Sequence, residues 1–543
     1  MSFTNKVNAI KRRLSKFTRS SLIENLMKRL HSPDSSFVEE ASLPWLSCIM
    51  LEFILEVDEA RGARNADSRK VSELLNDLWE LQNEALQFQD DKNILLTMRP
   101  FMIQQLRFQS GQVTHLYFLS RMRLILMDYN TSPKPIQAFE KNTGIKLKDF
   151  FTLSLFFAVI FSNILEKKQS KITYEFILTK LYPSYSLDTL ARFLSMVGGD
   201  FETLSKIVRS RKAHAGPARP ERYFSESLLF DKPLLLLPSG ISTTHSYIAC
   251  IGLCEFVLRT LKSCDNSGNV FRKPFSMAFE KYINQLFIEY DLNVVPEHVL
   301  KGKYDEDMKN NKVVDFFYST DDKNLFVDAK SVEPKQEVLS TQEPRRIKER
   351  LRDHLIGALV QAQVCASTLE QSGYENIVSR SRRYILVISH QDFFVGSGLR
   401  LRNLLGNDYG PTIDEAIGDE FELENVFYIA IAEFEGLMKL LQNSQKTIFD
   451  FLDFCKEREA EQFLFDMRQY ISEFGQVLEL ENPSPIGSEQ VQESFDFTYE
   501  DLKSVWKYSS DYWRKKGKVD PLLATNEFIS VSRYFRNVLL MSK

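Results

Sequence analysis

The chain has 543 residues, 43% of them hydrophobic, with 42 phenylalanines and a formal net charge of -4. That length exceeds what one core supports, and roughly two to four domains are expected. A near-neutral chain carries no global basic field, so contact with nucleic acid has to come from local patches.

Residues 1–30 are basic and acid-poor up to Glu24, with Lys6, Lys11, Arg12, Arg13, Lys16, Arg19, Lys28 and Arg29. This composition is shared by mitochondrial transit peptides and by nucleic-acid-facing arms. The reading adopted is an amphipathic helix with Val7, Ile10, Leu14, Phe17 and Leu22 inward. No compact apolar stretch follows the charges, so no secretory signal is expected. Helices are expected over 43–57, 71–88, 93–108 and 113–127, where apolar residues recur at three- and four-residue intervals. Residues 130–135 form a turn cluster, and helices follow at 136–140, 148–166 and 174–181. The longest apolar run, 150–165, is interrupted by Thr152, Ser154, Ser162 and Asn163. It falls short of the roughly 20 residues a membrane span needs and reads as a buried helix. The Phe150 to Phe157 cluster is expected to be core. The organisation expected is a helical N-terminal domain over 1–208, a linker with a connecting strand and helix over 209–267, a central α/β domain over 268–443 and a helical C-terminal region over 444–543. No internal repeat of fixed period is evident.

Residues 209–222 (RSRKAHAGPARPER) read as a loop or linker. A strand is expected at 232–237 and a helix at 246–261. The central domain then opens with a helix at 274–290, its apolar stripe formed by Phe275, Phe279, Ile283, Leu286 and Tyr290, with Glu280 at the stripe's edge. A strand at 292–300, a charged loop at 301–311, a polar connection at 333–342 and a long helix at 344–371 are expected. Residues 384–389 (YILVIS) and 426–432 (VFYIAIA) are apolar runs suited to strands buried on both faces, with a helix at 399–405 between them. The order is α-β-β-β-α-β-α-β, a mixed sheet with helices on both sides. From 447 onward the chain reads helical, with a surface linker at 481–492.

The most informative stretch lies inside this domain. Two strand-like runs, 312–319 (KVVDFFYS) and 325–331 (LFVDAKS), flank the polar cluster 320–324 (TDDKN). That pattern predicts a β-hairpin. Folding it about the Asp321–Asp322 bond sets Asp315 opposite Asp328, where cross-strand Cβ atoms are about 5 Å apart. Lys330 shares the face of Asp328. The other face carries Val314, Phe316 and Tyr318 against Leu325, Val327 and Ala329. Two opposed carboxylates repel, and a divalent cation between them removes the repulsion. Acid-x-lysine spacing by itself is uninformative, since it recurs at Glu166–Lys168, Asp307–Lys309, Asp321–Lys323, Glu333–Lys335 and Asp501–Lys503. Only Asp328–Lys330 sits in an apolar strand with an opposed acid and a preceding helix that bears a glutamate.

The six cysteines (48, 250, 254, 264, 365 and 455) form no CxxC pair. Structural zinc is not expected, and buried thiols in a reducing cytoplasm are. His214, His245, His298, His354 and His390 show no metal-ligand spacing, and His354 is expected to be exposed or capped in a polar network. Gly396-Ser397-Gly398 lacks the remainder of a phosphate loop.

In element order and residue types the central third resembles the PD-(D/E)XK nuclease superfamily, the restriction-endonuclease-like fold. The family's helix glutamate matches Glu280, its strand acid matches Asp315, and its acid-x-lysine matches Asp328-Ala329-Lys330. Gln361 and Gln363 both match the polar residue that many members carry on the next helix. Val314 stands where the superfamily's name has proline. The resemblance implies a metal-dependent nuclease using Mg²⁺, with Mn²⁺ as substitute. Asp315, Asp328 and the Ala329 carbonyl would be ligands. Glu280 would serve a second metal or orient a water, and Lys330 would assist the attacking water or stabilise charge. Arg345, Arg346, Lys348 and Arg350 would hold the nucleic-acid backbone. DNA is the implied substrate, with bacterial restriction or anti-phage defence as the context by analogy. A homodimer or higher oligomer and a partner protein bound through the N-terminal helices fit the same picture, without a membrane. Two other readings remain: a catalytically inactive scaffold on this fold, and an RNA-cleaving, toxin-like nuclease.

Overall fold

The computed structural model describes residues 2–31, 43–86, 93–109, 112–166, 171–216, 218–461, 466–480 and 487–541. Expected elements that reach into the gaps, including the first part of the 481–492 linker, lie outside the described residues. Helices dominate. Phe3–Leu14, Arg19–His31, Pro44–Glu56, Ser68–Ala85 and Phe201–Ala215 enclose one core. Val7, Ile10, Leu14, Phe17 and Leu22 are buried in it, and so are Leu235, Tyr247 and Ile248 from the connecting region. Among the described residues no helix is long and apolar enough to cross a membrane.

A small sheet ties the N-terminal helices to the connecting region. Strand β1 (Gly198–Gly199) runs parallel to β2 (Leu234–Leu237), which pairs antiparallel with β3 (Gly240–Ser242). The segment expected as a linker is half helical. The helix begun under the Asp200 N-cap runs on through Arg209, Arg211 and Lys212 and ends at Gly216, whose φ is +69°. Arginine and lysine are good helix formers, and glycine supplies the left-handed stop.

The second sheet has the order β4-β5-β6-β7-β8: Val295–Pro296, Phe316–Ser319, Asn324–Lys330, Arg383–Ser389 and Val426–Ala430. Strands β4, β5 and β6 pair antiparallel, whereas β6, β7 and β8 are parallel. Helix α1 (Arg272–Glu289) precedes the meander. Helices α2 (Pro344–Leu351) and α3 (Gly357–Gln371) connect β6 to β7, and α4 (Ile431–Gln442) comes after β8. The expected strand at 292–300 shrinks to two residues: Pro296 lacks an N–H, and a short helix begins at Glu297. The single helix expected over 344–371 is interrupted by a π segment, Arg352–Ile356. The polar connection contains a short helix, Gln336–Ser340.

Each face of this sheet belongs to a different core. Phe316, Leu325, Val327, Ala329, Leu386 and Ile388 pack with Phe275 and Phe279 of α1 and with Phe434 of α4. That core extends without a break through Phe150, Phe156 and Phe157 to Leu502 and Phe535 near the C-terminus. Phe317, Phe326, Ile385 and Val387 pack instead with Ile347, Leu359 and Ala362 of α2 and α3. Val314, expected beside Phe316, lies in this second core. The regular strand begins only at Phe316, so alternation does not extend back to Val314. The helix Ile94–Gln109 also reaches this core through Leu95, Leu96 and Ile103. Its Arg99, 0% exposed, donates to the carbonyls of Val338 (2.6 Å), Phe393 (2.7 Å) and Phe394 (3.4 Å).

Candidate active site

The β5–β6 register is Phe316↔Val327, Phe317↔Phe326, Tyr318↔Leu325 and Ser319↔Asn324. Extending it by one step sets Asp315 against Asp328. The ladder itself stops before that step, because the chain bends at Asp315. The Ala329 N–H therefore has no backbone partner on β5, and it donates to Asp315 Oδ2 at 2.6 Å. The N–H and C=O of a strand residue leave the same edge, so the Ala329 carbonyl opens on the Asp315 side as well.

Asp328 is 0% exposed. Its polar partners are the Lys330 ammonium, paired with Oδ2, and the neighbouring Asp315 carboxyl. Burial, reinforced by the neighbouring Asp328 carboxylate and by Glu280, pushes the Asp315 carboxyl up to about 9. Glu280 on α1 accepts from Ser276 Oγ at 3.1 Å. Its carboxyl is held above the ordinary range by burial first, then by Glu297 and Asp328. The structure thus brings Asp315, Asp328, Lys330 and Glu280 into one electrostatic cluster.

Among the described residues no three His, Cys, Asp or Glu side chains form a ready-made metal cluster. The fit of a divalent cation rests on different observations: a fully buried carboxylate, a second carboxyl raised beside it, and a carbonyl on the same edge. Mg²⁺ is commonly held by one or two carboxylates with water completing its shell, and this donor set suits it.

The two glutamines separate. Gln361 Nε2 donates to the Val313 carbonyl at 2.6 Å, bracing the chain two residues before Asp315. Gln363 packs against Gly418 on another side of the helix. Two positions on a helix differ by about 200°, so only one can face the site. Gln361→Ala is expected to loosen Asp315 and so to lower any activity that this site supports about 10- to 100-fold. Gln363→Ala should leave it unchanged, and the initial rates of the two variants check this.

The expected backbone-binding residues lie on α2 and are largely exposed. Arg345 pairs with Glu349 (2.9 Å), Arg346 with Glu343 (2.8 Å) and Arg350 with Glu337 (2.8 Å). The Lys348 ammonium lies over the Tyr409 ring. Exposed ion pairs are weak and exchange readily for phosphate.

Three groups near the site are not assigned to it by sequence reasoning. His354, half-buried in the π segment, has a lowered pKa through burial, with Lys330 and Lys335 contributing. Glu333 is half-buried beside His390 (3.4 Å) and Lys262. Burial alone would raise its carboxyl, but His390 and Lys262 outweigh that and bring it to about 2. Glu297, an exposed residue at the start of the helix after β4, faces Glu280 electrostatically. The π segment was the one available signal, since such bulges favour functional sites, but it cannot be seen in sequence. The thiols of Cys48, Cys250, Cys254, Cys365 and Cys455 are buried, and that of Cys264 is half-buried.

The raised Asp315 carboxyl has a pH consequence. Its folded-state value lies above the ordinary 3.8, so the stability it contributes is present below that value and is lost as pH rises through about 9. A cation must displace the same proton. Mn²⁺ affinity is therefore expected to rise about tenfold per pH unit up to about 9, with release of about one proton. Calorimetry at several pH values in buffers of different ionisation enthalpy measures both.

Comparison with known protein families, with characterised proteins and with solved structures finds no match for this chain.

Proposed function

We propose that the protein is a metal-dependent nuclease that hydrolyses phosphodiester bonds, with DNA as substrate. The observation that carries the reading is the fully buried Asp328 carboxylate set against the Asp315 carboxyl and joined to the Lys330 ammonium. A structural ion pair has no use for a second, half-buried acid at that point. A nuclease does, because the scissile phosphate is anionic and its transition state gathers more charge.

Asp315, Asp328 and the Ala329 carbonyl would hold the cation, which supplies charge neutralisation and a more acidic water. Glu280, its carboxyl biased towards protonation, is suited to accept the proton of the attacking water. The water oxygen bonds to phosphorus as the ester P–O bond breaks, and the leaving oxygen takes a proton from solvent. Lys330, fixed by Asp328, stabilises negative charge on the phosphoryl oxygens. Gln361 positions Asp315 through Val313 and is not itself a reacting group.

The test is incubation of the full chain with plasmid, linear duplex, single-stranded DNA and RNA, each with Mn²⁺ and with chelator. Metal-dependent cutting of DNA is expected. Cutting of RNA alone would reassign the substrate, and no cutting of any of the four would favour a scaffold.

A further inference from the structure

A cavity of about 270 Å³ lies among the helices Phe3–Leu14, Pro44–Glu56, Ile94–Gln109 and Phe201–Ala215 and the segment 218–230. None of Glu280, Asp315, Asp328 and Lys330 lines it. Its walls include the aromatic rings of Trp45, Phe108, Tyr223 and Phe224. Among the described residues, two buried polar atoms of uncharged lining residues lack a hydrogen-bond partner: Trp45 Nε1, a donor, and Gln104 Oε1, an acceptor. Trp45 is 4% and Gln104 9% exposed, so water does not readily satisfy either. Unmet buried groups carry a desolvation cost that a bound molecule can relieve.

Cations gather on the lining. Lys11 and Lys212 share the one carboxylate of Glu56, and Arg222 has no ion pair among the described residues. Burial lowers all three, holding Lys11 down at about 8, and Arg222 lowers both lysines further. The lining acids have partners already. Glu52 accepts from Ser227 Oγ (2.6 Å) and the Leu228 N–H (2.8 Å), and Glu226 faces Arg107 at 3.7 Å. An open cleft of about 670 Å³ shares Lys11, Glu56 and Lys212 with the cavity and adds Arg12. These three shared residues form the doorway between enclosed space and solvent.

We infer that this cavity binds a nucleoside phosphate, with the base among the aromatic side chains and the phosphates at Lys11, Lys212 and Arg222. An aromatic wall receives a flat ring, and one free donor with one free acceptor suits a heterocyclic edge. Lysine and arginine at a doorway suit phosphate, which stays half in solvent. A purely apolar ligand would leave the cations unanswered. A bare inorganic anion would leave Trp45 Nε1 and Gln104 Oε1 unanswered. The volume, near the lower end for small-molecule sites, admits one base and not a polymer. Gln104 shares its helix with Arg99, which holds the segments following β6 and β7, so the cavity wall and the nuclease-like sheet are physically joined.

The test is calorimetric titration of the full chain with the ribonucleoside mono- and triphosphates of all four bases, plus adenosine and pyrophosphate. Chelator is present throughout, so that binding through a cation at Asp315 and Asp328 does not contribute. Saturable binding of at least one nucleoside phosphate is expected, with Lys212→Ala/Arg222→Ala weakening it about tenfold or more. Trp45→Phe, which keeps a ring and removes the N–H, should weaken it by a smaller factor. Melting curves confirm that the variants are folded, since Lys212 is exposed and Arg222 only half-buried. The inference is overturned if no nucleoside phosphate binds at about 1 mM. It is equally overturned if pyrophosphate binds as tightly as the nucleotides, or if the double variant binds as the parent does. None of these outcomes bears on DNA cleavage, which is read separately.

Discussion

Asp328→Asn is expected to lower nuclease activity by about 10³-fold or more while leaving the metal-free protein as stable as the parent, or more so. The two effects have opposite signs for one reason. In the parent a carboxylate is held out of water beside a second carboxyl, which burial and the like charge together raise. That arrangement costs folding energy. An amide of the same size removes the like-charge conflict but cannot neutralise a cation. Lys330 loses its partner, yet its side chain is 20% exposed and can turn to solvent. Were Asp328–Lys330 merely a structural ion pair, the substitution would destabilise the fold and leave any activity alone. Thermal melting in chelator and nicking rates in Mn²⁺ separate the two accounts.

Glu435→Ala is expected to cost about 3–5 kcal/mol of stability, the largest structural effect anticipated outside the apolar cores. Glu435 on α4 is 0% exposed. It receives Arg121 Nε at 2.5 Å and Nη2 at 2.6 Å, and Tyr282 Oη at 2.6 Å. Tyr282 also meets Ser488 Oγ at 2.8 Å. Gly487 is required here: a Cβ on it would collide with Glu435 Oε2. One carboxylate therefore joins the N-terminal helices, α1, α4 and the start of the last helical region. Removing it strands the Arg121 guanidinium, 4% exposed, without a counter-charge. Arg121→Met/Glu435→Leu, which removes both charges, should recover much of the loss. Because α1 also carries Glu280, the single variant should depress cleavage too, and the double variant should partly restore it. A chain of this size need not unfold in one step, so melting temperature and soluble yield are the proper readouts.

The hairpin was legible because local rules govern it. Period-two patterning and a polar turn fix the register, and the turn's centre between Asp321 and Asp322 is enough to pair 315 with 328. What failed nearby failed where a local rule ends. Alternation was carried back to Val314 across a bend that sequence does not mark. A strand was carried through Pro296 to Leu300, where a proline and a new helix cut it short. Gln361 and Gln363 could not be told apart because helical phase is set by packing, and the contact with Val313 decides it.

Long-range features were not legible at all. The apolar faces of the N-terminal and C-terminal helices were visible, but their common core with α1 was not. The Glu435 cluster joins residues more than 300 positions apart, and the cationic cavity collects side chains from segments between Phe3 and Leu339. Amphipathic patterning says that a face is buried without saying against what.

The most direct measurement is calorimetric titration of Mn²⁺ into the parent protein and into Asp328→Ala near pH 8. Saturable binding to the parent, accompanied by proton release and lost in the variant, is the predicted result. No binding to the parent, or equal binding to both proteins, would contradict a cation site built from Asp315 and Asp328.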